Sequence, residues 1–405
     1  LKKVYTSLNK PAVVAVTTFI PGYSFTRVFE SLFERLSVSF SIHWIGLGYK
    51  GPVVKQNDYT IHPNNVNGGD IYGAYGAAAL AKELNAKTVL LLTDFFLLKN
   101  YVTAFGSLKQ QHTRLIAYVP VDGTFTDVNI VQDCFFLDEL VLFHKGAMQE
   151  VNNAIDQFLQ QHPSQSFSVP HLSYRYHGVD CSVFQLPTSA QQPEALRKKL
   201  FDVPDAAKSI FILNANRYDK RKNIEATISA FAKALPQFNR PAYLCLHTPN
   251  LVRFMKPALI SLIENSGCKK NILLNPLGEK YVNDEELVQL YQACSIGVNS
   301  SFGEGWGMIS FEHAACGAAQ LVPTHTASGE VWKDAGILIP FTGNVQLTTN
   351  PFQMYAVDED ELSRQLVKLV NDDAYLEMSA TKCYTHSCRD EFKWESIALQ
   401  WTELL

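Results

Sequence analysis

Short β-branched or apolar runs alternate with amphipathic stretches of helical period along the chain, and the pattern breaks once and restarts. A strand–helix repeat of this kind buries its apolar surface best as parallel sheets with helices on their faces. In the first half PAVVAVTTF, SIHWIGLG, KTVLLLTD, RLIAYVPVD and LVLFH predict strands. TRVFESLFERL, GAYGAAALAKELN and residues 145 to 161 predict helices. A polar, proline-containing stretch from residue 162 to about 193 has no clear period and is read as the interdomain linker. The second half then runs KSIFILNAN, NIEATISAFAKAL, AYLCLHT, VRFMKPALISLIENSG, NILLN, DEELVQLYQAC, IGVNS, GMISFEHAACG and AQLVPT, strand and helix in turn. Two late helices follow, one from Asp360 and one over EFKWESIALQWTELL. Phe392, Trp394, Ile397 and Trp401 are expected on one side of the last helix, seeking a partner surface in the first domain.

At 405 residues the chain is too long for one core and predicts two domains of roughly 150 to 200 residues each. The fold class is α/β, with two Rossmann-like open sheets and a cleft between them. The expected division is 1–190, 191–385, and a terminal helix at 386–405 that returns to the first domain. Ligands of open α/β sheets bind beyond the carboxyl ends of the strands, so the strand-end loops are where chemistry is sought.

Composition narrows the class. Hydrophobic residues make up 47% and charged residues 18%, the balance of a compact globular chain. The net charge is −4 with lysines and arginines scattered, which argues against nucleic acid as a partner. The eight cysteines form no CxxC pair and no zinc spacing, so they are expected as reduced thiols of a cytoplasmic protein. No secretory segment or membrane span is read; TVLLLTDFFLL is too short and is interrupted by Asp94. Leu1 suggests that a short N-terminal piece precedes the chain. The sequon Asn299-Ser300-Ser301 sits at a predicted strand end and carries no weight.

Two strand-end segments hold the chemistry. In NANRYDKRKN, Arg217, Arg221 and Lys222 stand between a strand and a helix. A guanidinium fork and an ammonium there suit a phosphate or diphosphate, although such a run in isolation reads as a solvated loop. In SFGEGWGMISFEHAACG the glycines permit close approach of a ligand to the main chain. The amides of Met308 and Ile309 open the helix and offer an anion site. Glu304 precedes that site, and Glu312, eight residues on, lies about one turn into the helix. A carboxylate there can accept hydrogen bonds from a vicinal diol such as ribose, or simply compensate the helix dipole. Glu330, after a Ser-Gly turn, could approach the same place or start a helix.

Taken together, Arg217 with Lys222, EGWGMISFEHAACG, GEVWKDAGILIP, YRYHGVDCSVF and WESIALQWTEL resemble the retaining family-4 glycosyltransferases of the GT-B fold. Their hallmark is a glutamate, seven residues and a second glutamate, here Glu304 and Glu312, with Trp306 for the usual Phe and His313-Ala314 for the usual Ala-Met. The C-terminal half is covered almost continuously; the N-terminal half matches in pattern only.

The resemblance implies roles. Arg217 and Lys222 hold the donor diphosphate and stabilise the charge of the leaving group. Glu312 holds the ribose hydroxyls. Glu304 and the amides of Gly305, Trp306, Gly307, Met308 and Ile309 hold the transferred sugar and distal phosphate. Gly22, in the turn IPGY, matches the glycine loop facing the diphosphate, though the family's loop is richer in glycine. Glu304, Arg217 and Lys222 are the implied catalytic residues, in front-face attack with retention. Asp94 and Asp122, at first-domain strand ends, are candidates to face the acceptor, against the ordinary reading of turn formers.

No cofactor is expected. Two cations and a helix start can stabilise the leaving diphosphate without a metal. The triplet Asp358-Glu359-Asp360 resembles the metal motif of the other main glycosyltransferase fold, but it precedes an amphipathic helix and is better read as its cap. Arg217-Tyr218-Asp219 resembles a segment of GDP-mannose users, so the expected reaction moves a hexose from GDP-mannose to a glycan or glycoconjugate hydroxyl, with a UDP-sugar as the alternative. Peripheral membrane contact is compatible with the sequence. A dinucleotide dehydrogenase is disfavoured because IPGYSF, not G-x-G-x-x-G, follows the first strand. An epimerase of the same architecture would lack the Arg/Lys and double-glutamate set; the presence of Arg217, Lys222, Glu304 and Glu312 together argues against a non-catalytic sugar-nucleotide-binding descendant, which stands as a further alternative.

Overall fold

The computed structural model describes residues 10–56, 58–109, 111–248, 255–279, 281–348 and 350–405. They form two compact units. The first comprises the described residues within 10–121, 127–178 and 394–405, and the second those within 122–126 and 179–393.

Among the described residues, the sheet of the first unit has eight strands. Its order is Val54–Lys55, Tyr59–Pro63, Ser41–Leu47, Ala12–Thr18, Thr88–Leu92, Arg114–Val119, Glu139–Leu142 and His171–Tyr174. All neighbours run parallel except the two-residue edge strand Val54–Lys55. The central strands read as unbroken apolar runs because both faces are covered: every residue of Thr88–Leu92 is buried. The Ser24–Leu36 helix buries Val28, Phe29, Leu32, Phe33 and Leu36, a single stripe at helical spacing. Phe29 and Phe33 meet the buried Trp44 at ring distances of 5.8 and 5.5 Å.

The region read as the interdomain linker contains the strand His171–Tyr174, paired in register with Glu139–Leu142. Four residues with no alternation of burial give no period to detect. The chain leaves this unit after Gly178. A β-carbon at Gly178 would lie 2.5 Å from the Trp394 ring, so only glycine fits there.

The terminal helix, Trp394–Leu404, belongs to the first unit. Trp401 packs edge-on against Tyr118 at 5.0 Å, and Glu395 pairs with Arg35 at 2.6 Å. Phe392 corrects the sequence reading. It lies in a 3₁₀ turn before the helix and packs in the second unit, 4.8 Å from the Phe311 ring.

Among the described residues of the second unit, six parallel strands lie in the order Ile272–Leu274, Ala242–Leu246, Ile210–Asn214, Ile296–Val298, Ala319–Pro323 and Ile337–Ile339. The chain winds outward from Ile210–Asn214 to one side, then returns to add Ile296–Val298 on the other. The order therefore reverses between those two strands. The Ile224–Ala234 and Glu359–Asn371 helices bury Ile228, Phe231, Leu362, Leu366 and Leu369 in the core of this unit. The start of the helix read from Val252 lies outside the described residues, and the described helix is Lys256–Asn265.

An antiparallel sheet escaped the sequence reading. Phe341–Gln346 pairs with Phe352–Val357, which pairs in turn with Thr124–Phe125. This last pairing attaches residues 122–126, distant in sequence, to the second unit.

Candidate active site

The strand order of the second unit reverses between Ile210–Asn214 and Ile296–Val298, and such a switch point is where open sheets leave a crevice at their carboxyl ends. The loops that follow these two strands are NANRYDKRKN and SSFGEGWG.

Each loop is fixed locally before it meets the other. Asp219 caps the 3₁₀ turn Lys220–Lys222 by accepting from the Lys222 amide at 3.2 Å. Asn223 then takes φ +46°, the left-handed region that asparagine tolerates, and the Ile224–Ala234 helix begins. In the second loop Asn299 Oδ1 accepts from both the amide and the hydroxyl of Ser301, at 3.0 and 2.7 Å. Asn299 is itself buried, so the sequon marks an Asx turn. The Phe302 amide donates to the Arg221 carbonyl at 2.8 Å and joins the loops. Below them a buried chain of hydroxyls and amides runs from Asn214 through Thr227 and Ser300 to the Asn223 carbonyl, with steps of 2.9, 2.7 and 2.7 Å.

This frame brings four charged groups together. Lys222 Nζ donates to both oxygens of Glu304, at 2.9 and 2.7 Å, with both residues under a tenth exposed. Arg221 donates to the Gly303 carbonyl at 2.6 Å and lies 3.4 Å from Asp122 and 3.7 Å from Glu304. Asp122 arrives on the short segment that the antiparallel sheet holds. A β-carbon on Gly303 would stand 1.9 Å from the Asp122 carbonyl oxygen, so this glycine admits the segment.

The charges tune one another. Burial pushes Glu304 up, but the charges of Lys222 and Arg221, with hydrogen bonds from Lys222 and Ser301, outweigh it and hold the carboxylate at about 2. Burial lowers Lys222 more than Glu304 raises it, with Arg221 adding to the lowering. The two hydrogen bonds to one carboxylate are those of an ion pair, and the paired charges set the state of the couple. Asp122 is raised, chiefly by burial and further by Glu304, against the pull of Arg221. Glu304 thus holds its charge while Asp122 is pressed toward the neutral acid.

A third strand-end loop, after Ala319–Pro323, clasps the Glu304 main chain. The Glu304 amide donates to Thr326 Oγ1 at 3.1 Å, and the Ala327 amide donates to the Glu304 carbonyl at 3.1 Å. Thr326 adopts φ +54°, rare for a β-branched residue and a form of strain found at functional sites. Its neighbour His325 is buried and pushed down to about 4 by desolvation, against the charge of Glu304. His325 and Thr326 went unread in the sequence, and Gly303 was read as admitting a ligand rather than the Asp122 segment, since a torsion angle and a long-range approach leave no local pattern. Arg221, one of the three cations read as suiting a phosphate or diphosphate, is instead placed against Asp122, Gly303 and Glu304.

Glu312 sits apart from this group. It is the fifth residue of the Met308–Ala315 helix, buried, and accepts from the Tyr291 hydroxyl at 3.2 Å. That is beyond the first turn, where a carboxylate meets the helix dipole best, so dipole compensation does not explain it. Gly307, at φ +93°, precedes the helix without a side-chain cap, leaving the amides of Met308 and Ile309 for another acceptor. The Trp306 ring is turned into the core, stacked on Phe311 at 5.1 Å and 9°, so only its main chain can serve the loop. Gly305 is buried beside it.

Arg217 is exposed, as Lys220 of the same loop is, and lies 3.8 Å from Asp219. Gly22 holds φ +80° in an exposed turn of the first unit, and Asp94 precedes the 3₁₀ turn Phe95–Asn100 of that unit. Glu330 lies in the Thr326–Val331 helix. Asp358 caps the Glu359–Asn371 helix, accepting from the Asp360 and Glu361 amides at 2.9 Å, and Glu359 and Asp360 pair with Lys233. The acidic triplet is a helix start.

Sucrose-phosphate synthase of Thermosynechococcus elongatus superposes with a TM-score of 0.73 over 98% of each chain, at 14% identity. HepE of Anabaena, solved with UDP and glucose, gives 0.69 over 97% of this chain and 99% of its own, at 12% identity. The fold is GT-B. Known GT-B glycosyltransferases are thus matched over nearly the full length, although no protein-family model matches the chain. In sequence, the serotype-specific mannosyltransferase WbdA of Escherichia coli is 26% identical over 274 residues, 65% of this chain and 29% of WbdA. The O-antigen chain mannosyltransferase B of Escherichia coli is 27% identical over 190 residues, 47% of this chain and 44% of its own length. The chain spans less than half the length of these relatives. No helix of the described residues is long and apolar enough to cross a membrane.

Proposed function

We propose that this protein is a retaining glycosyltransferase that moves a mannosyl group from GDP-mannose to a hydroxyl of a glycan or glycoconjugate, without a metal. The observation that carries the reading is the Lys222–Glu304–Arg221–Asp122 cluster at the sheet's switch point, beside a helix start with no side-chain cap. A reaction that breaks a sugar–phosphate bond puts negative charge on the departing diphosphate, and fixed donors aimed at that charge are the largest source of rate. Arg217 and the Met308 and Ile309 amides would receive the diphosphate, with Lys222 contributing its charge from beneath. Glu304, kept ionised by its two cations, would hold a sugar hydroxyl and the cationic face of the sugar as the bond breaks. Glu312 and Tyr291 would receive the ribose diol.

Glu304 is bound on both oxygens, so it orients and stabilises in this scheme, and the acceptor hydroxyl passes its proton to the leaving phosphate. Asp122, pressed toward its neutral form, is suited to a hydrogen bond with a substrate hydroxyl. Donor identity rests on the mannosyltransferase relatives and the Arg217-Tyr218-Asp219 segment. A UDP-sugar is the second reading, favoured by the UDP and glucose of the HepE structure. Titration with GDP- and UDP-sugars, read by calorimetry and by release of nucleoside diphosphate with and without EDTA, tests both. Tighter binding of UDP than GDP overturns the mannose reading; binding without turnover overturns the enzyme.

A further inference from the structure

Cys181 and Cys388 are 207 residues apart in sequence, yet their sulfurs stand 3.4 Å from each other. Both are half-buried, whereas the other six cysteines are buried. Cys181 lies in the turn opened by Asp180, whose carboxylate accepts from the Ser182 amide and hydroxyl. Cys388 caps the carboxyl end of the Asp373–Ser387 helix, its amide donating to the Tyr384 carbonyl at 3.1 Å. The two backbones are therefore held before the sulfurs meet. They adjoin the places where the second unit's chain passes to and from the first, after Gly178 and after Lys393. There Val179 bridges Lys393 in parallel, and the Val179 amide donates to the Phe392 carbonyl at 2.8 Å.

We propose that Cys181 and Cys388 are a thiol–disulfide modification site, closed by a low-molecular-weight disulfide such as oxidised glutathione and reopened by the corresponding thiol. The Cys388 thiolate attacks one sulfur of oxidised glutathione, and one glutathione leaves as its thiolate. Cys181 then loses its proton and attacks the Cys388 sulfur, expelling the second glutathione thiolate. Two protein thiols give up two protons and two electrons; the oxidised glutathione becomes two thiols. The order follows from the surroundings. The hydrogen bond from Cys181 is the main influence that lowers Cys388, to about 6, against burial and with help from Ser387, Tyr384 and Lys393. Cys181 is raised, first by that same bond and then by burial. The sulfurs need to approach from 3.4 Å to about 2.0 Å. The bond would close a loop spanning almost all of the second unit and so restrict its unfolded state.

The test treats the full chain with oxidised or reduced glutathione and maps the thiols by mass spectrometry. The expected result is a crosslinked Cys181–Cys388 peptide, loss of two hydrogens from the intact mass, and a Tm higher by about 5 °C or more. Cys181→Ser should instead trap a glutathione adduct on Cys388, because the resolving thiol is gone. Complete alkylation of both cysteines after oxidised glutathione, or a crosslink confined to other cysteines, would overturn the site. A crosslinked pair with unchanged Tm would overturn its action as a clamp.

Discussion

Lys222 Nζ lies 2.9 and 2.7 Å from the two carboxylate oxygens of Glu304, a residue 82 positions further along the chain. Breaking a buried pair by removing one partner leaves the other charge without compensation, at a typical cost of about 3–5 kcal/mol. Lys222→Met should therefore destabilise the second unit by that order, and Lys222→Met with Glu304→Gln should recover part of it. Urea unfolding of the four species gives the coupling; additive losses would show that the ion pair has no structural role.

Acid should act through Glu304. Its folded value of about 2 is below the ordinary 4.5, so its stabilisation is present above pH 4.5 and disappears as pH falls toward 2. The shift corresponds to about 3 kcal/mol at neutral pH. Asp122 is shifted the other way, and its contribution grows on acidification. Glu304→Gln should flatten the acid limb of a stability–pH curve, and Asp122→Asn should steepen it. Identical limbs in both variants would contradict the assigned electrostatics.

Gly303→Ala tests the approach of residues 122–126. The new β-carbon would fall 1.9 Å from the Asp122 carbonyl oxygen, backbone that cannot swing aside as a side chain would. We expect a loss of at least about 1–3 kcal/mol and a fall in turnover, read by thermal melting and product release. Native stability with native turnover would show the segment is free to move.

Under the proposed reaction, Glu304→Ala should lower kcat by about 10²–10³ while leaving donor affinity nearly intact, whereas Lys222→Ala should damage both. Calorimetry of the donor beside steady-state kinetics separates the two. Near-normal kcat in Glu304→Ala would remove the carboxylate from the mechanism.

Asp358→Ala should cost about 0.5–2 kcal/mol in stability and leave turnover unchanged, as for a helix cap. Loss of turnover restored by a divalent metal would reverse that assignment.

Much of the second unit was legible because its signals are local. IFILN and AYLCL are apolar runs of strand length, and Ile224–Ala234 shows its stripe without reference to anything distant. Lys222 stood out as a cation at a strand end, and Glu304 and Glu312 by their spacing in a glycine-rich stretch. The geometry around them was not legible, for nothing in the sequence pairs Lys222 with Glu304 or turns the Trp306 ring into the core. His171–Tyr174 was too short to show a period, and Phe392 fitted the helix pattern of its neighbours although the chain turns before Trp394.

By itself, the sequence determined two α/β units, the strand ends that carry charge and the bare loop before Met308, since hydrophobic period and glycine act over a few residues. Only the tertiary structure decided that Asp122 joins Arg221 and Glu304, that Thr326 bends to hold the Glu304 amide, and that Cys181 meets Cys388. Those relationships depend on sheet pairing and chain return across long separations, and burial there sets which charges persist.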